Sequence, residues 1–312
     1  MESGESVAQQ LTTIRDYIRW AVTRFNKADI YFGHGTDNAM DEALRLVLFA
    51  VGIPLGSQAD FLDAKLTGQE RLAVLALIDQ RVEQRMPLPY LLGEAWFAGL
   101  SFKVDSRVLI PRSPVAELIQ QGFEPWLPYQ AVGRILDLCT GGGCIGIACA
   151  HYFAEASVDL ADLSEGALEV ANENITSYEL NHRVKTVQSD LFNGLAGQQY
   201  QLIVSNPPYV DSEDLAAMPA EYQHEPAMAL GSGDDGLDIT RRILKQAANY
   251  LTDKGLLVVE VGNSGIALEQ AYPDVPFTWI EFEQGGHGVF IFSKAELLEY
   301  FRTDVIPAKA GN

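Results

Sequence analysis

The stretch Asp137-Leu138-Cys139-Thr140-Gly141-Gly142-Gly143-Cys144-Ile145-Gly146 decides the fold class. It follows an apolar run at 134–138 that predicts a buried strand, and a helix is expected after it. Glycines let the backbone turn tightly and approach a ligand, to which the next helix offers its N-terminus. Gly141, Gly143 and Gly146 also fit the dinucleotide pattern GxGxxG, which alone is weak. The stretch therefore predicts a strand, loop and helix that bind a nucleotide-like cofactor.

Strand and helix patterns alternate around this unit. After Ser113-Pro114, five apolar runs predict strands, with helices in most intervals. These strands are 134–138, 157–161, 184–188, 201–204 and 256–260. Residues 277–283 and 288–292 are also strand-like, and the four residues between them are too few for a helical crossover. We therefore expect an α/β fold whose mainly parallel sheet is covered on both faces and ends in an antiparallel pair.

A helical region precedes this pattern. Apolar residues with helical spacing predict an amphipathic helix over 7–25, a second that begins near Thr36-Asp37, and a third over 69–85. Residues 93–112 are rich in aromatic and β-branched side chains around Gly99, which predicts a hairpin. The chain thus divides into a helical domain at 1–93, a β-hairpin linker at 94–112 and an α/β domain at 113–312.

Charge narrows the classes of partner. The 312 residues include 22 Lys and Arg against 42 Asp and Glu, a formal net charge of −20. This excess opposes tight binding to a phosphate backbone or an anionic membrane surface, and a basic protein partner fits it better. The same excess could simply keep an enzyme soluble. We therefore expect neither direct DNA binding nor membrane association.

The three cysteines, Cys139, Cys144 and Cys149, lack the paired spacing of a structural zinc site. We interpret them as small buried hydrophobic residues in a reducing compartment, and we predict no metal site. The polar residues within 7–16 exclude the apolar core of a signal peptide, and no run approaches a membrane span. These features predict a cytoplasmic protein and leave its oligomeric state open.

Aspartates stand at the carboxyl ends of three predicted strands: Asp137 ends the first, and Asp162 and Asp190 follow the second and third, at the edge where ligands bind in open α/β sheets. Asp137 could meet an ammonium group, and Asp190-Leu191 could border an adenine. Asp162 could accept both ribose hydroxyls, a role that a dehydrogenase would share. Each aspartate alone could be a turn residue. Together with the antiparallel pair, which is typical of methyltransferase sheets, they favour S-adenosylmethionine over a nicotinamide cofactor.

The segment Asn206-Pro207-Pro208-Tyr209 follows the fourth predicted strand and indicates the chemistry. A planar amide nitrogen is a poor nucleophile unless it is held for in-line attack. The Asn206 side-chain oxygen and the Pro207 carbonyl can accept its two N–H groups, and Tyr209 can stack on its plane. This arrangement also stabilises the positive charge that develops on nitrogen. We therefore predict that Asn206, Pro207 and Tyr209 are catalytic; no histidine is assigned, since His287 is at least as well explained as a hairpin residue.

The chain resembles the N(5)-glutamine methyltransferases, which modify translation proteins, over nearly its whole length. The motifs that carry the resemblance are the Asp137-to-Gly143 loop, Asp162, Ser189-Asp190-Leu191-Phe192, Asn206-Pro207-Pro208-Tyr209, Glu225-Pro226, Ala229-Leu230 and Gly236-Leu237-Asp238. The resemblance implies a class I S-adenosylmethionine-dependent methyltransferase, with a Rossmann-like, seven-stranded sheet and an antiparallel last strand. It makes 113–312 the methyltransferase domain and 1–93 a helical substrate-recognition domain.

The same resemblance implies the site residues. Those that bind the cofactor would be Cys139, Thr140, Gly141, Gly142, Gly143, Asp162, Leu191 and Asn206. We add Asp137 and Asp190 from their positions at the end of one predicted strand and after another. The substrate glutamine would be bound by Asn206, Pro207, Pro208 and Tyr209. Arg112 is added to the substrate site from its placement beside the predicted linker.

One motif separates two branches of the family. Release-factor enzymes carry IPRP followed by an acidic TE pair, whereas this chain has Ile110-Pro111-Arg112-Ser113-Pro114. Cys139 also replaces the first glycine of the usual GTGxG loop. The motif resembles that of the branch acting on ribosomal protein three of the large subunit, a basic partner that suits the −20 charge.

Four alternative functions stay open at this point. The chain could be a release-factor enzyme, or a DNA adenine amino-methyltransferase, although no Lys/Arg cluster for DNA is present. It could be a non-catalytic ribosome-assembly factor that retains the fold, or a nicotinamide oxidoreductase.

Overall fold

The structure is a computed structural model that describes residues 4–127 and 132–301. Residues 1–3, 128–131 and 302–312 of the predicted domains lie outside the described residues. The N-terminal part is helical, as predicted. Its helices are α1 (Gly4–Gln10), α2 (Ile14–Lys27), α3 (Ala39–Ala50), α4 (Gly68–Glu83) and α5 (Leu88–Leu92).

The first predicted helix, 7–25, is interrupted before Ile14. The Thr13 hydroxyl accepts a hydrogen bond from the Asp16 backbone N–H at 3.2 Å, and the Asp16 carboxylate accepts one from the Thr13 N–H at 2.9 Å. This capping box satisfies N–H groups that have no partner within the helix, so α2 begins there. The Asn38 side chain caps α3 by accepting a hydrogen bond from the Asp41 backbone N–H. The predicted start at Thr36-Asp37 was therefore early.

The apolar stripes of these helices form one core. Tyr17 and Phe25 of α2 pack with Leu46 of α3 and Ile78 of α4, and all four side chains are fully buried. Burial of a large apolar side chain contributes about 1.5–3 kcal/mol, which stabilises this part through tertiary packing.

The predicted hairpin is confirmed but is shorter than 93–112. Its strands are β1 (Glu94–Phe97) and β2 (Leu100–Lys103), which pair antiparallel. Ala98 and Gly99 form the turn with φ values of 50° and 80°, the left-handed conformation that two-residue hairpin loops require. Residues 104–112 form no strand and continue toward helix α6 (Val115–Gln120).

The main sheet has seven strands in the order β5-β4-β3-β6-β7-β9-β8. The strands are β3 (Arg134–Leu138), β4 (Ser157–Asp162), β5 (Val184–Gln188), β6 (Tyr200–Ser205), β7 (Leu251–Glu260), β8 (Thr278–Trp279) and β9 (Val289–Ser293). Strands β3 to β7 are parallel, and β9 is antiparallel to both of its neighbours. The predicted α/β class, the strand number and the antiparallel last strand are confirmed.

Strand β8 has two residues, where the sequence predicted a strand over 277–283. The backbone N–H groups of Glu283 and Gln284 donate to the Glu117 carboxylate at 3.0 and 3.1 Å. The Glu117 side chain of α6 therefore takes the backbone donors at the end of the predicted strand. The pairing of β8 with β9 ends before them.

Helices cover both faces of the sheet. They are α6 together with α7 (Cys144–Tyr152), α8 (Glu165–Ser177), α9 (Ser212–Ala217), α10 (Asp238–Gln246), α11 (Gly265–Ala271) and α12 (Lys294–Tyr300). Consecutive residues Ile135 and Leu136 belong to different core clusters, one on each face. No helix among the described residues has the length and apolar character needed to cross a membrane.

Register brings three strand ends together at one edge. Leu138 of β3 pairs with Ala161 of β4 on one side and with Ser205 of β6 on the other. The Ser205 hydroxyl also donates to the Leu138 carbonyl at 2.7 Å. The glycine loop, Asp162 and the segment after β6 therefore meet at the carboxyl edge of the sheet.

Candidate active site

The glycine loop joins β3 to α7 and turns through left-handed backbone conformations. Cys139, Gly141 and Gly143 have φ values of 60°, 54° and 85°. Gly146, one turn into α7, allows the helix to pack closely, since a Cβ there would lie 2.1 Å from a Leu160 methyl carbon. Cys139 thus adopts a left-handed backbone conformation that favours glycine, at a steric cost typical of non-glycine residues.

Asp137 is fully buried beneath this loop. Its Oδ2 accepts hydrogen bonds from the Thr140 hydroxyl at 2.5 Å and from the Gly146 N–H at 2.8 Å. Burial raises the pKa of Asp137 to about 7. Its Oδ1 has no hydrogen-bond partner among the described residues. The carboxylate therefore braces the loop, and its contact with a ligand ammonium group stays a prediction.

Asp162 lies at the end of β4 beside the loop. Its Oδ2 accepts from the Gly141 N–H at 2.8 Å, and its Oδ1 accepts from the Ser164 N–H at 2.9 Å. Burial raises the pKa of this carboxyl group, while the backbone donors oppose the rise. Each oxygen keeps acceptor capacity for a ligand hydroxyl, and the two backbone bonds fix its direction.

A cleft of about 130 Å³ opens at this edge of the sheet. Among the predicted cofactor residues, those that line it are Cys139, Gly141, Asp162, Asp190, Leu191 and Asn206. Asp137, Thr140, Gly142 and Gly143 are not part of its lining. Carboxylates beside apolar walls suit a ligand with hydroxyl groups and a flat base, so the residues present fit a nucleoside such as that of S-adenosylmethionine.

Leu191 and Asp190, which are predicted to border adenine, are held in place by burial and by an ion pair, respectively. Leu191 is buried with a φ of 50°. The Asp190 carboxylate accepts two hydrogen bonds from one guanidinium nitrogen of Arg242, at 2.7 and 2.8 Å. Arg242 was not predicted; it lies on α10, 52 residues along the chain.

A second cleft lies beside the first, and Asn206 lines both. Pro207 and Tyr209 face the second cleft, whereas Pro208 lines the first. The predicted tetrapeptide therefore forms the wall between the two spaces. Other residues of the second cleft include Tyr31, Leu109, Arg112, Tyr222 and Ser264.

Arg112 lines the second cleft while its guanidinium group is engaged by Glu225. Two nitrogens donate to the two carboxylate oxygens, at 2.7 and 2.9 Å. The guanidinium carbon lies 5.2 Å from the centre of the Tyr222 ring, a cation–π contact. Arg112 therefore shapes the wall through Glu225 and Tyr222, and direct binding of substrate by Arg112 stays a prediction.

Glu225 joins several segments around the second cleft. It is buried, accepts the Ile110 N–H at 2.9 Å, and lies 3.5 Å from the His34 ring nitrogen. Burial acts to raise the pKa of Glu225, but interactions with His34 and Arg112 outweigh burial and lower it to about 2. Glu225-Pro226 is one of the motifs that carry the family resemblance, but the sequence gives Glu225 no role, because His34 and Arg112 are distant from it in the chain.

Glu225→Gln should remove one acid-sensitive part of the stability. Since the folded-state pKa of about 2 lies below the ordinary glutamate pKa of 4.5, the carboxylate stabilises the fold above pH 4.5. That contribution, about 3 kcal/mol, is lost as the pH falls through 2. We expect the difference in unfolding free energy between wild type and variant to be largest near pH 7 and to shrink between about pH 5 and 2.

Chemical denaturation across this pH range measures the difference. Glu155→Gln changes an exposed glutamate and is the matched control, whose curve should run parallel to that of the wild type. A constant gap between wild type and Glu225→Gln would contradict the assignment.

The remaining sequence interpretations meet mixed outcomes. Cys149 is buried as predicted, whereas Cys139 and Cys144 are only partly buried because they flank the loop at the edge of the sheet. The His287 imidazole bonds to the Asn263 side chain at 2.9 Å in an exposed loop. No group of three or more potential metal ligands is found within 4–127 and 132–301.

The chain is similar to known methyltransferases over most of its length. A family model, the methyltransferase small domain, matches residues 123–222. A ribosomal protein uL3 glutamine methyltransferase from Francisella tularensis is 48% identical over 300 residues, which is 96% of this chain and 96% of that protein. The protein of the same name from Neisseria gonorrhoeae is 51% identical over 292 residues, 93% of this chain and 97% of that one.

A solved structure shares the fold. The catalytic domain of hMettl16, in complex with MAT2A 3'UTR hairpin 1, matches with a TM-score of 0.51 and 15% identity, over 89% of this chain and 91% of that chain. The predicted class I methyltransferase fold is thus confirmed. The match to a methyltransferase family model also bears out S-adenosylmethionine as the cofactor. The identity over almost the whole length shows that this chain belongs to the family of ribosomal protein uL3 glutamine methyltransferases.

Proposed function

We propose that this enzyme transfers a methyl group from S-adenosylmethionine to the side-chain nitrogen N5 of a glutamine in ribosomal protein uL3. The observation that carries the proposal is the position of Asn206, which lines both the cofactor cleft and the neighbouring cleft. A methyl group must cross from one space to the other. Asn206, Leu109 and Ala229 line both spaces, and Asn206 has the polar side chain among these three. The names of the relatives supply the substrate.

In the proposed mechanism, the tetrapeptide orients the glutamine amide. S-adenosylmethionine, when bound, supplies an electrophilic methyl group. The Asn206 side-chain oxygen and the Pro207 carbonyl accept the two amide N–H groups, and the Tyr209 ring stacks on the amide plane. These acceptors also stabilise positive charge that develops on the nitrogen as the new bond forms. Pro207 and Pro208 restrict the backbone that presents these groups.

The first cleft would hold the cofactor through its predicted residues. Asp162 is placed to accept hydroxyl groups, because both of its oxygens are already directed by backbone N–H groups. Leu191 and Asp190 line the same space and suit the adenine end. Cys139 and Gly141 form the loop wall of this space. Thr140, Gly142 and Gly143 complete the loop, and Asp137 braces it through its hydrogen bonds to Thr140 and Gly146.

The helical part contributes to the proposed substrate site. Tyr31, which precedes α3, lines the second cleft and is 45% exposed. Its backbone N–H donates to the Glu221 carboxylate at 3.1 Å, which ties it to the segment after the tetrapeptide. We propose that residues 1–93 act as a substrate-recognition domain, 94–112 as a linker and 113–312 as the methyltransferase domain. The −20 charge suits a basic ribosomal protein and a cytoplasmic location.

A methyl-transfer assay tests the function directly. We expect label from S-adenosylmethionine to appear in unmethylated uL3, on a glutamine side chain identified by mass spectrometry, and not in release factors or duplex DNA. Release factor and DNA are the matched alternative acceptors, since each offers a planar nitrogen that the Asn206-to-Tyr209 segment could orient.

The distribution of label separates the alternatives. Label mainly in release factor would place the enzyme in the other branch of the family. Label in DNA would favour adenine as the acceptor, and no label in any acceptor would favour a non-catalytic assembly factor.

A further inference from the structure

Tyr209 is seated in a socket built from two segments, residues 260–264 and the turn at Gly236. Its hydroxyl donates to Glu260 Oε1 at 3.0 Å, and its carbonyl accepts from the Ser264 hydroxyl at 2.6 Å. Gly262 lies under the ring: it has a φ of 46°, and a Cβ there would be 2.7 Å from a Tyr209 ring carbon. Gly236 similarly leaves room for the Tyr209 carbonyl. The ring is thus fixed at its backbone, its face and its hydroxyl end.

Glu260 is the anchor of the hydroxyl end. It ends β7, is 5% exposed, and accepts the Ser113 hydroxyl at Oε2, 2.5 Å away. Burial raises the pKa of Glu260, and the hydroxyls of Ser113 and Tyr209 oppose that rise by hydrogen bonding to the carboxylate. Burial likewise raises the pKa of Tyr209, so the phenol retains the proton that it donates.

Ser113 is directed toward Glu260 by its own environment. It is buried, and its Oγ accepts the Val115 backbone N–H at 3.2 Å. This bond occupies a lone pair of the hydroxyl, whose single proton is then donated to the carboxylate. Ser113 and Glu260 are 147 residues apart in the chain, so the contact also joins the start of the α/β fold to the centre of its sheet.

We propose that Ser113 and Glu260 are positioning residues that set the plane of the Tyr209 ring through a Ser113–Glu260–Tyr209 hydrogen-bond chain. The proposal rests on the proposed function of Tyr209 as the surface on which the glutamine amide stacks. Stacking orients the amide only when the ring has one fixed plane, because misorientation raises the barrier to transfer more than it weakens binding. Neither residue faces the acceptor amide; each acts through Tyr209.

The test combines kinetics with a spectroscopic readout of the ring. Ser113→Ala should lower kcat for uL3 methylation about tenfold, while KM and cofactor affinity stay near wild type. In a Tyr209→Phe background, which has no hydroxyl to hold, Ser113→Ala should add little to the loss. Ser113→Ala should also shift the ¹⁹F resonance of 3-fluorotyrosine placed at residue 209.

Ser293→Ala is the matched control. Its hydroxyl likewise accepts a backbone N–H, from Glu296 at 3.3 Å, and donates to the Glu296 carboxylate at 2.6 Å, but it caps α12 away from both clefts. It should leave kcat and the resonance unchanged.

Two results would overturn the proposal. One is an unchanged ¹⁹F resonance at residue 209 in Ser113→Ala. The other is a double variant whose decrease in kcat equals the product of the decreases in Ser113→Ala and Tyr209→Phe. The resonance needs no substrate, so it tests the positioning even if wild type fails to methylate uL3, a failure that would refute the proposed function instead.

Discussion

Asn206→Ala should reduce kcat for glutamine methylation by about 100- to 1,000-fold, the loss seen when one oriented polar group is removed from a charged transition state. The dissociation constant for S-adenosylmethionine should change far less, because most of the cofactor cleft is formed by other residues. Steady-state kinetics with uL3 and calorimetric titration of the cofactor measure the two quantities separately.

Asn172→Ala serves as the matched control. Asn172 is exposed on α8, where its amide donates to the Thr186 hydroxyl at 3.1 Å, and it lies outside the linings of both clefts. It should retain wild-type kcat. Equal losses of turnover and cofactor affinity in Asn206→Ala would mean that Asn206 chiefly binds the cofactor.

Arg81→Ala should destabilise the fold by about 3–5 kcal/mol, because it leaves buried carboxylates without their counter-ion. Arg81 is 1% exposed and forms ion pairs with the buried residues Glu42 and Glu221. It also donates to the Tyr31 carbonyl at 2.8 Å. Since Tyr31 lines the second cleft, we also expect a raised KM for the protein substrate. Denaturant unfolding and kinetics at a temperature where the variant is folded measure the two effects.

Arg24→Ala is the control for this change. Arg24 also pairs with two carboxylates, Asp79 and Glu83, but these are 51% and 59% exposed. Solvent-exposed ion pairs contribute about 1 kcal/mol or less, so Arg24→Ala should be mild. If Arg81→Ala destabilised the fold no more than this control, the buried cluster would not hold the helical part in place.

Local patterns predicted the residues at the carboxyl edge of the sheet. Asp162 and Asn206 each follow an apolar run, and parallel strands bring such positions to one edge whatever the rest of the fold does. The same logic placed Asp137 at the end of β3, yet it could not show that the carboxylate would turn inward to Thr140 and Gly146. A strand pattern gives the position of a side chain but not its hydrogen-bond partner.

Contacts between distant segments were beyond such patterns. Glu225 meets Arg112 across 113 residues, and Glu221 meets Arg81 across 140. Neither glutamate differs in sequence from the many acidic residues expected on a surface, so burial and pairing become visible only in three dimensions. The interruption before α2 was readable in principle, because Thr13 and Asp16 have capping-box spacing, but the apolar stripe running through it suggested a continuous helix.

The two buried glutamates that follow the tetrapeptide have a consequence for how the enzyme can be divided. The basic residues that contact Glu221 are Arg81 and Arg85, and those that contact Glu225 are His34 and Arg112, all of which precede residue 113. A fragment beginning at that residue would keep both acids and lose every one of these bases. The α/β part is therefore not a self-contained module that can be transplanted or minimised. An enzyme shortened to begin at residue 113 would also need Glu221 and Glu225 replaced, because the basic residues that pair with them would be gone.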